Sequence, residues 1–138
     1  MNYFQVTTIK RLLEHKKGYL YLASLWTLLI AYLCLTDFNK LPTIEISGLD
    51  KSVHFILHFI FTLLWYLYVK STIKLKWSIA FVVLLDVVYG SLIEVGQAFF
   101  TITRKADVID ILANSVGTSA AVIVIYVFPR LFKRGYLN

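Results

Sequence analysis

Two stretches of this chain, Phe55–Val69 and Val116–Phe128, carry no charged residue at all. They belong to four apolar runs, at about Tyr19–Leu35, Val53–Val69, Ser78–Phe100 and Val108–Phe128. Each run approaches the ~17–25 residues a helix needs to cross the hydrocarbon core of a bilayer, the first two at the short end. Backbone polar groups cannot face lipid unpaired, and no alternating barrel pattern is present, so the runs must be helices. Hydrophobic residues make up 59% of the 138, too many for an ordinary soluble domain. The expected fold is therefore all-α, a four-transmembrane-helix bundle forming a single membrane domain over residues 1–138.

The lysines and arginines predict its orientation. Lys10, Arg11, Lys16 and Lys17 precede the first run, Lys70, Lys74 and Lys76 separate the second from the third, and Arg130, Lys133 and Arg134 follow the fourth. The other side carries Lys40, Lys51, Arg104 and Lys105, diluted by Asp37, Glu45, Asp50 and Asp107. The positive-inside rule then predicts both termini in the cytoplasm and the loops Thr36–Ser52 and Thr101–Asp107 outside. The net charge of +6 does not point to nucleic acid, because the basic residues cluster beside the apolar runs. The basic N-terminus followed by Tyr19–Leu35 has the outline of a signal peptide. No small-x-small cleavage pattern follows and the run is long, so an uncleaved span is expected. A single cysteine, Cys34, offers no disulfide framework and reads as a small core or lipid-facing residue. Trp26, Trp65 and Trp77 are expected at the membrane interfaces.

Polar residues interrupt this pattern at three places. They are Asp50-Lys51-x-x-His54, Glu94-x-x-Gln97, and Arg104-x-x-Asp107-x-x-Asp110-x-x-x-Asn114. Ionisable groups in or beside membrane spans are costly, so function is their default explanation. The topology puts all three at the external end of the spans, and spacings of three, four and seven place each set on one helix face. The expected result is a polar pocket at the external face, open outward and closed inward.

Bland readings compete for part of this set. Asp50 and Asp107 can be helix N-caps, and Asp110 a first-turn acid favoured by the helix dipole. Capping does not explain Glu94, which lies near the C-terminal end of its helix, nor Asn114, two turns into the fourth. Polar glue between helices is the alternative for Glu94. His54 can be an interfacial histidine bonded to Asp50. His58, one turn deeper, suits a supporting or packing role. Asp86 suits either a neutral acid bonded to a neighbour's hydroxyl or part of a proton path. Ala113, Gly117 and Ala121 form a small-residue stripe suited to close helix packing.

The ordered set Asp50-Lys51-x-x-His54-Phe55, Tyr89-Gly90-x-x-x-Glu94-x-x-Gln97 and Arg104-x-x-Asp107-x-x-Asp110-x-x-x-Asn114-x-x-Gly117 resembles the VanZ-like family of bacterial membrane proteins. The match runs from about Asp50 to Gly117. The resemblance implies a small multi-pass protein of the bacterial plasma membrane. It also implies a link to the cell envelope, since the founding member is associated with low-level teicoplanin resistance. His58 departs from the pattern, which leads one to expect an aromatic such as tyrosine there.

The expected function is an outward-facing site that binds, and in an enzymatic version alters, an anionic envelope component. Its partners would be the lipid bilayer and an anionic lipid headgroup or cell-wall precursor. Lys51 and Arg104 are the cations suited to phosphate or carboxylate. Asp50 and Asp107 complete the binding set. Glu94 and Asp110 with His54 have the chemistry of an acid–base set, and Gln97 and Asn114 that of groups orienting ligand or water. No serine or cysteine stands in a nucleophile motif, so a triad hydrolase is not expected. Neither a cofactor nor a metal is expected. A divalent cation at His54, Glu94 and Asp110 is chemically feasible, but no tight metal motif is present. Two other classes stay open: a non-catalytic interaction or structural protein, and a proton or solute pathway in an oligomer.

Overall fold

The computed structural model describes residues 16–36, 49–72, 77–101 and 107–128. All regular structure among them is helical: α1 (Lys16–Leu35), α2 (Leu49–Thr72), α3 (Ser78–Phe100) and α4 (Val108–Val127). All four are long and apolar enough to cross a membrane. At about 1.5 Å per residue, α2 is about 36 Å long and exceeds the ~30 Å hydrocarbon core. It begins four residues before the apolar run does and takes in Asp50 and Lys51. Asp50 is therefore a first-turn acid rather than the N-cap that the sequence allows.

α2 is the central element and contacts each of the other three helices, most extensively α4. Gly117 makes that approach feasible. A Cβ there would press into the Phe55 carbonyl and lie 3.1 Å from the Phe59 nitrogen, so α4 meets the bare backbone of α2. A glycine inside a helix costs about 1 kcal/mol relative to alanine. Close packing along the Ala113–Gly117–Ala121 stripe offsets that cost, and Ala121 is fully buried.

One apolar cluster, of Ile30, Cys34, Leu57, Phe61 and Ile93, joins α1 to α2 and α3. A second, of Tyr66, Val69, Val82 and Ile125, fills the far end of the bundle. The outward surface is just as apolar. Leu25, Leu84, Leu92, Val116 and Ile123 each expose more than half of their area. Apolar surface on this scale is what a bilayer solvates.

Trp26 and Trp65 turn into helix contacts. Trp26 Nε1 donates to the Leu57 carbonyl at 2.9 Å, and Trp65 Nε1 to Thr27 Oγ1 at 3.1 Å. Away from water an indole N–H needs a protein acceptor, and α1 and α2 supply these to each other. Trp77, just ahead of α3, is exposed.

Candidate functional site

The polar residues gather where α2 and α4 begin and α3 ends. Asp107 is the N-cap of α4, and its Oδ1 accepts the Ile109 N–H at 2.8 Å. Its own N–H donates to Glu94 Oε2 at 3.3 Å. Glu94 thus opposes the dipole of its own helix but sits at the positive end of its neighbour. That contact gives a physical reason for an acid inside an apolar run.

Lys51, in the first turn of α2, is the cation of the cluster. Its Nζ donates to Asp107 Oδ2 at 2.7 Å and to Asp110 Oδ1, and lies 3.6 Å from Asp50 Oδ2. The Lys51 ammonium, followed by the Ile109 N–H, holds the Asp107 carboxyl below its ordinary value of 3.8. Among the described residues, four carboxylates (Asp50, Glu94, Asp107 and Asp110) stand in the cluster with this one ammonium.

His54 lies behind Lys51 and is 1% exposed. It is bonded to Asn114, not to Asp50: Nδ1 meets Asn114 Oδ1 at 3.0 Å. Nδ1 is also 3.9 Å from Glu94 Oε1, and Nε2 is 3.8 Å from Asp110 Oδ2. Of the acid–base candidates, Glu94 and Asp110 therefore each stand within 4 Å of a nitrogen of the His54 ring. Among the described residues, Asp50, His54 and Asp110 each offer a ligating atom within 4.8 Å of the other two, a spacing that a shared metal ion could use.

Gln97 does not join the group. Its Nε2 donates to the Cys34 carbonyl at 3.1 Å and ties α3 to the end of α1. Arg104 lies outside the described residues.

A second buried polar group lies deeper. His58 Nδ1 meets Asp86 Oδ1 at 2.9 Å, and the Thr118 hydroxyl donates to Asp86 Oδ2. All three residues are 1–4% exposed. Asp86 thus has both a neighbour's hydroxyl and an imidazole as partners. Thr118 was not singled out by sequence. The available signal was its position one turn beyond Asn114, on the buried face of α4. Gly90 keeps the two groups close. A Cβ there would stand 3.0 Å from His58 Cε1 and 3.2 Å from Asn114 Nδ2. Among the described residues, four buried atoms have no hydrogen-bond partner: His58 Nε2, Thr62 Oγ1, Glu94 Oε1 and Asn114 Nδ2.

The model of the VanZ/LLP1 family matches residues 3–129 of the chain. No curated protein and no solved structure is detectably similar to it. The match takes in all four helices and every polar residue that meets at their ends, and the chain belongs to the VanZ/LLP1 family.

Proposed function

We propose that the chain is a plasma-membrane protein with both termini in the cytoplasm. In that orientation the Lys51–His54–Glu94–Asp110 cluster faces outward at the outer leaflet. There it binds an anionic, phosphate-bearing component of the cell envelope. The observation that carries this reading is Lys51. Its ammonium sits where α2 and α4 begin, held by Asp107 and Asp110, with the buried His54 imidazole one turn further along α2. A phosphate entering here exchanges with those carboxylates for the ammonium, and the N-termini of α2 and α4 add positive dipole ends at the same level. His54, with Glu94 and Asp110 around it, is placed to move a proton on the bound component.

A second reading is a structural polar network without a ligand. The self-pairing of Lys51 with Asp107 and Asp110, and of His58 with Asp86, favours it.

Ligand-dependent melting separates the two. The purified protein in a neutral maltoside detergent is heated with phosphatidic acid or with phosphatidylcholine, each in the presence and absence of EDTA. A ligand that binds only the folded state raises the melting temperature. Phosphatidic acid should raise it well beyond phosphatidylcholine, and Lys51→Gln should remove the difference. Equal responses to the two lipids in the unsubstituted protein would leave the structural reading.

A further inference from the structure

The Asn114 contact orients the His54 ring. The amide oxygen of Asn114 can only accept, so its 3.0 Å contact places the ring proton on Nδ1. In that tautomer Nε2 presents a lone pair. Nε2 lies 3.8 Å from Asp110 Oδ2, beyond hydrogen-bond reach, and Asp50 offers a carboxylate oxygen within 4.8 Å of a ligand atom of each of the two. A lone pair and two carboxylates so arranged converge as donors on one place. Lys51 does not fill this place. It takes the other oxygen of Asp110, Oδ1, together with Asp107 Oδ2, and stays 3.6 Å from Asp50. On the Nδ1 side, the buried Glu94 Oε1 points at the ring from 3.9 Å with no hydrogen-bond partner of its own.

We propose that Asp50, His54 Nε2 and Asp110 Oδ2 bind one divalent cation of borderline character, Zn²⁺ or Mn²⁺, with its outer positions open. Metal–ligand distances of about 2.0–2.2 Å allow two ligands of one ion to stand up to about 4 Å apart, which accommodates the 3.8 Å gap. Metal-binding histidines donate their other ring N–H to an outer-shell oxygen that sets the tautomer, and Asn114 Oδ1 is in that position. A nitrogen ligand with two carboxylates suits Zn²⁺ or Mn²⁺ better than Ca²⁺ or Mg²⁺, which favour all-oxygen sites. Lys51 and the ion use different oxygens of Asp110, so both can be present. The Asp50 side chain is 53% exposed, which leaves the ion reachable from the rim. Resting on the proposed phosphate-binding role only for its ligand, the ion supplies the positive charge that a cluster rich in carboxylates lacks. Its open positions take a phosphate oxygen.

Mn²⁺ alone tests this, with no lipid added. The full-length protein in maltoside detergent is stripped with EDTA, desalted and titrated with Mn²⁺ under electron paramagnetic resonance. One ion per chain should be taken up, with spin-echo modulation from a directly bound imidazole nitrogen, and Zn²⁺ should displace it. His54→Gln should abolish the nitrogen modulation. Asp110→Asn should weaken uptake by at least about tenfold. The unsubstituted protein decides the matter even if a variant fails to fold. Absence of saturable uptake of either ion, or uptake without nitrogen modulation, overturns the site. Metal uptake without a phosphatidic acid response keeps the metal site and removes the phosphate-binding role. A phosphatidic acid response in EDTA with no metal uptake does the reverse.

Discussion

Lys51 Nζ lies 2.7 Å from Asp107 Oδ2, so the first turn of α2 is tied to the residue that caps α4. The same ammonium also reaches Asp110 Oδ1, in the first turn of α4. One lysine therefore fixes the register between the two most extensively packed helices at their polar end.

Lys51 and Asp110 should prove energetically coupled. The Asp110 side chain is 7% exposed, and that of Lys51 is 33% exposed. A fully buried pair broken on one side costs about 3–5 kcal/mol, and exposure of the lysine reduces this. A double-mutant cycle of Lys51→Gln and Asp110→Asn, read by apparent unfolding free energy in detergent, should give about 1–3 kcal/mol of coupling. Additive losses would show that the two act independently.

Asp107 makes the cap acid-sensitive. Its folded pKa lies below the ordinary 3.8, chiefly through Lys51. The unfolded chain therefore takes up the proton first as pH falls. The stabilisation is present in full above the unfolded value and is lost as pH drops through the folded one. Melting temperatures of the protein and of Asp107→Asn should differ most above pH ~5, and the gap should narrow as pH falls below ~3.8 and close only below the folded value. A gap that stays constant down to pH ~2 would rule out the ion pair as its source.

Ten of the fourteen lysines and arginines flank the apolar runs on one side, which predicts that side as cytoplasmic. Ser71→Cys and Ser47→Cys, each in a Cys34→Ala background, should respond differently to an impermeant thiol reagent on intact cells. Position 47 should label and position 71 should not. The opposite pattern would invert the bundle and place the polar cluster in the cytoplasm.

The helices were legible because run length and charge alone dictate them in a membrane. The early start of α2 was not. Asp50 and Lys51 look like loop residues until α4 supplies Asp107 and Asp110 to pair with the lysine, and that contact is long-range. Helical spacing correctly gathered Asp50, Lys51, His54, Glu94, Asp107, Asp110 and Asn114. It failed for Gln97, because three residues along a helix still leave about 60° of rotation at 3.6 residues per turn. That rotation turns Gln97 toward α1, whose position no pattern in the sequence fixed. Lys51 read as a cation suited to a ligand, since nothing local revealed Asp107 and Asp110 as its partners. Thr118 passed for part of an apolar run, because a single hydroxyl hardly alters hydropathy.

The deeper pair tests whether His58, unusual against the resemblance, and Asp86 were fitted to each other. Asp86→Leu removes the acceptor of His58 Nδ1 and of the Thr118 hydroxyl. A buried polar group left unsatisfied costs about 1–3 kcal/mol. The hydroxyl can fall back on the Asn114 carbonyl, 3.0 Å away, but His58 loses its only acceptor among the described residues. Asp86→Leu should therefore melt lower, and Asp86→Asn, which keeps an acceptor oxygen, should lose less. Adding His58→Phe to Asp86→Leu removes the stranded donor along with its lost partner and should recover stability, since replacing both members by apolar groups is close to neutral. Phe61, whose ring centroid is 6.1 Å from that of His58, would accept the new ring against it. A double variant that melts at or below Asp86→Leu alone would mean that His58 and Asp86 are placed independently, and that their contact does not hold this part of the bundle together.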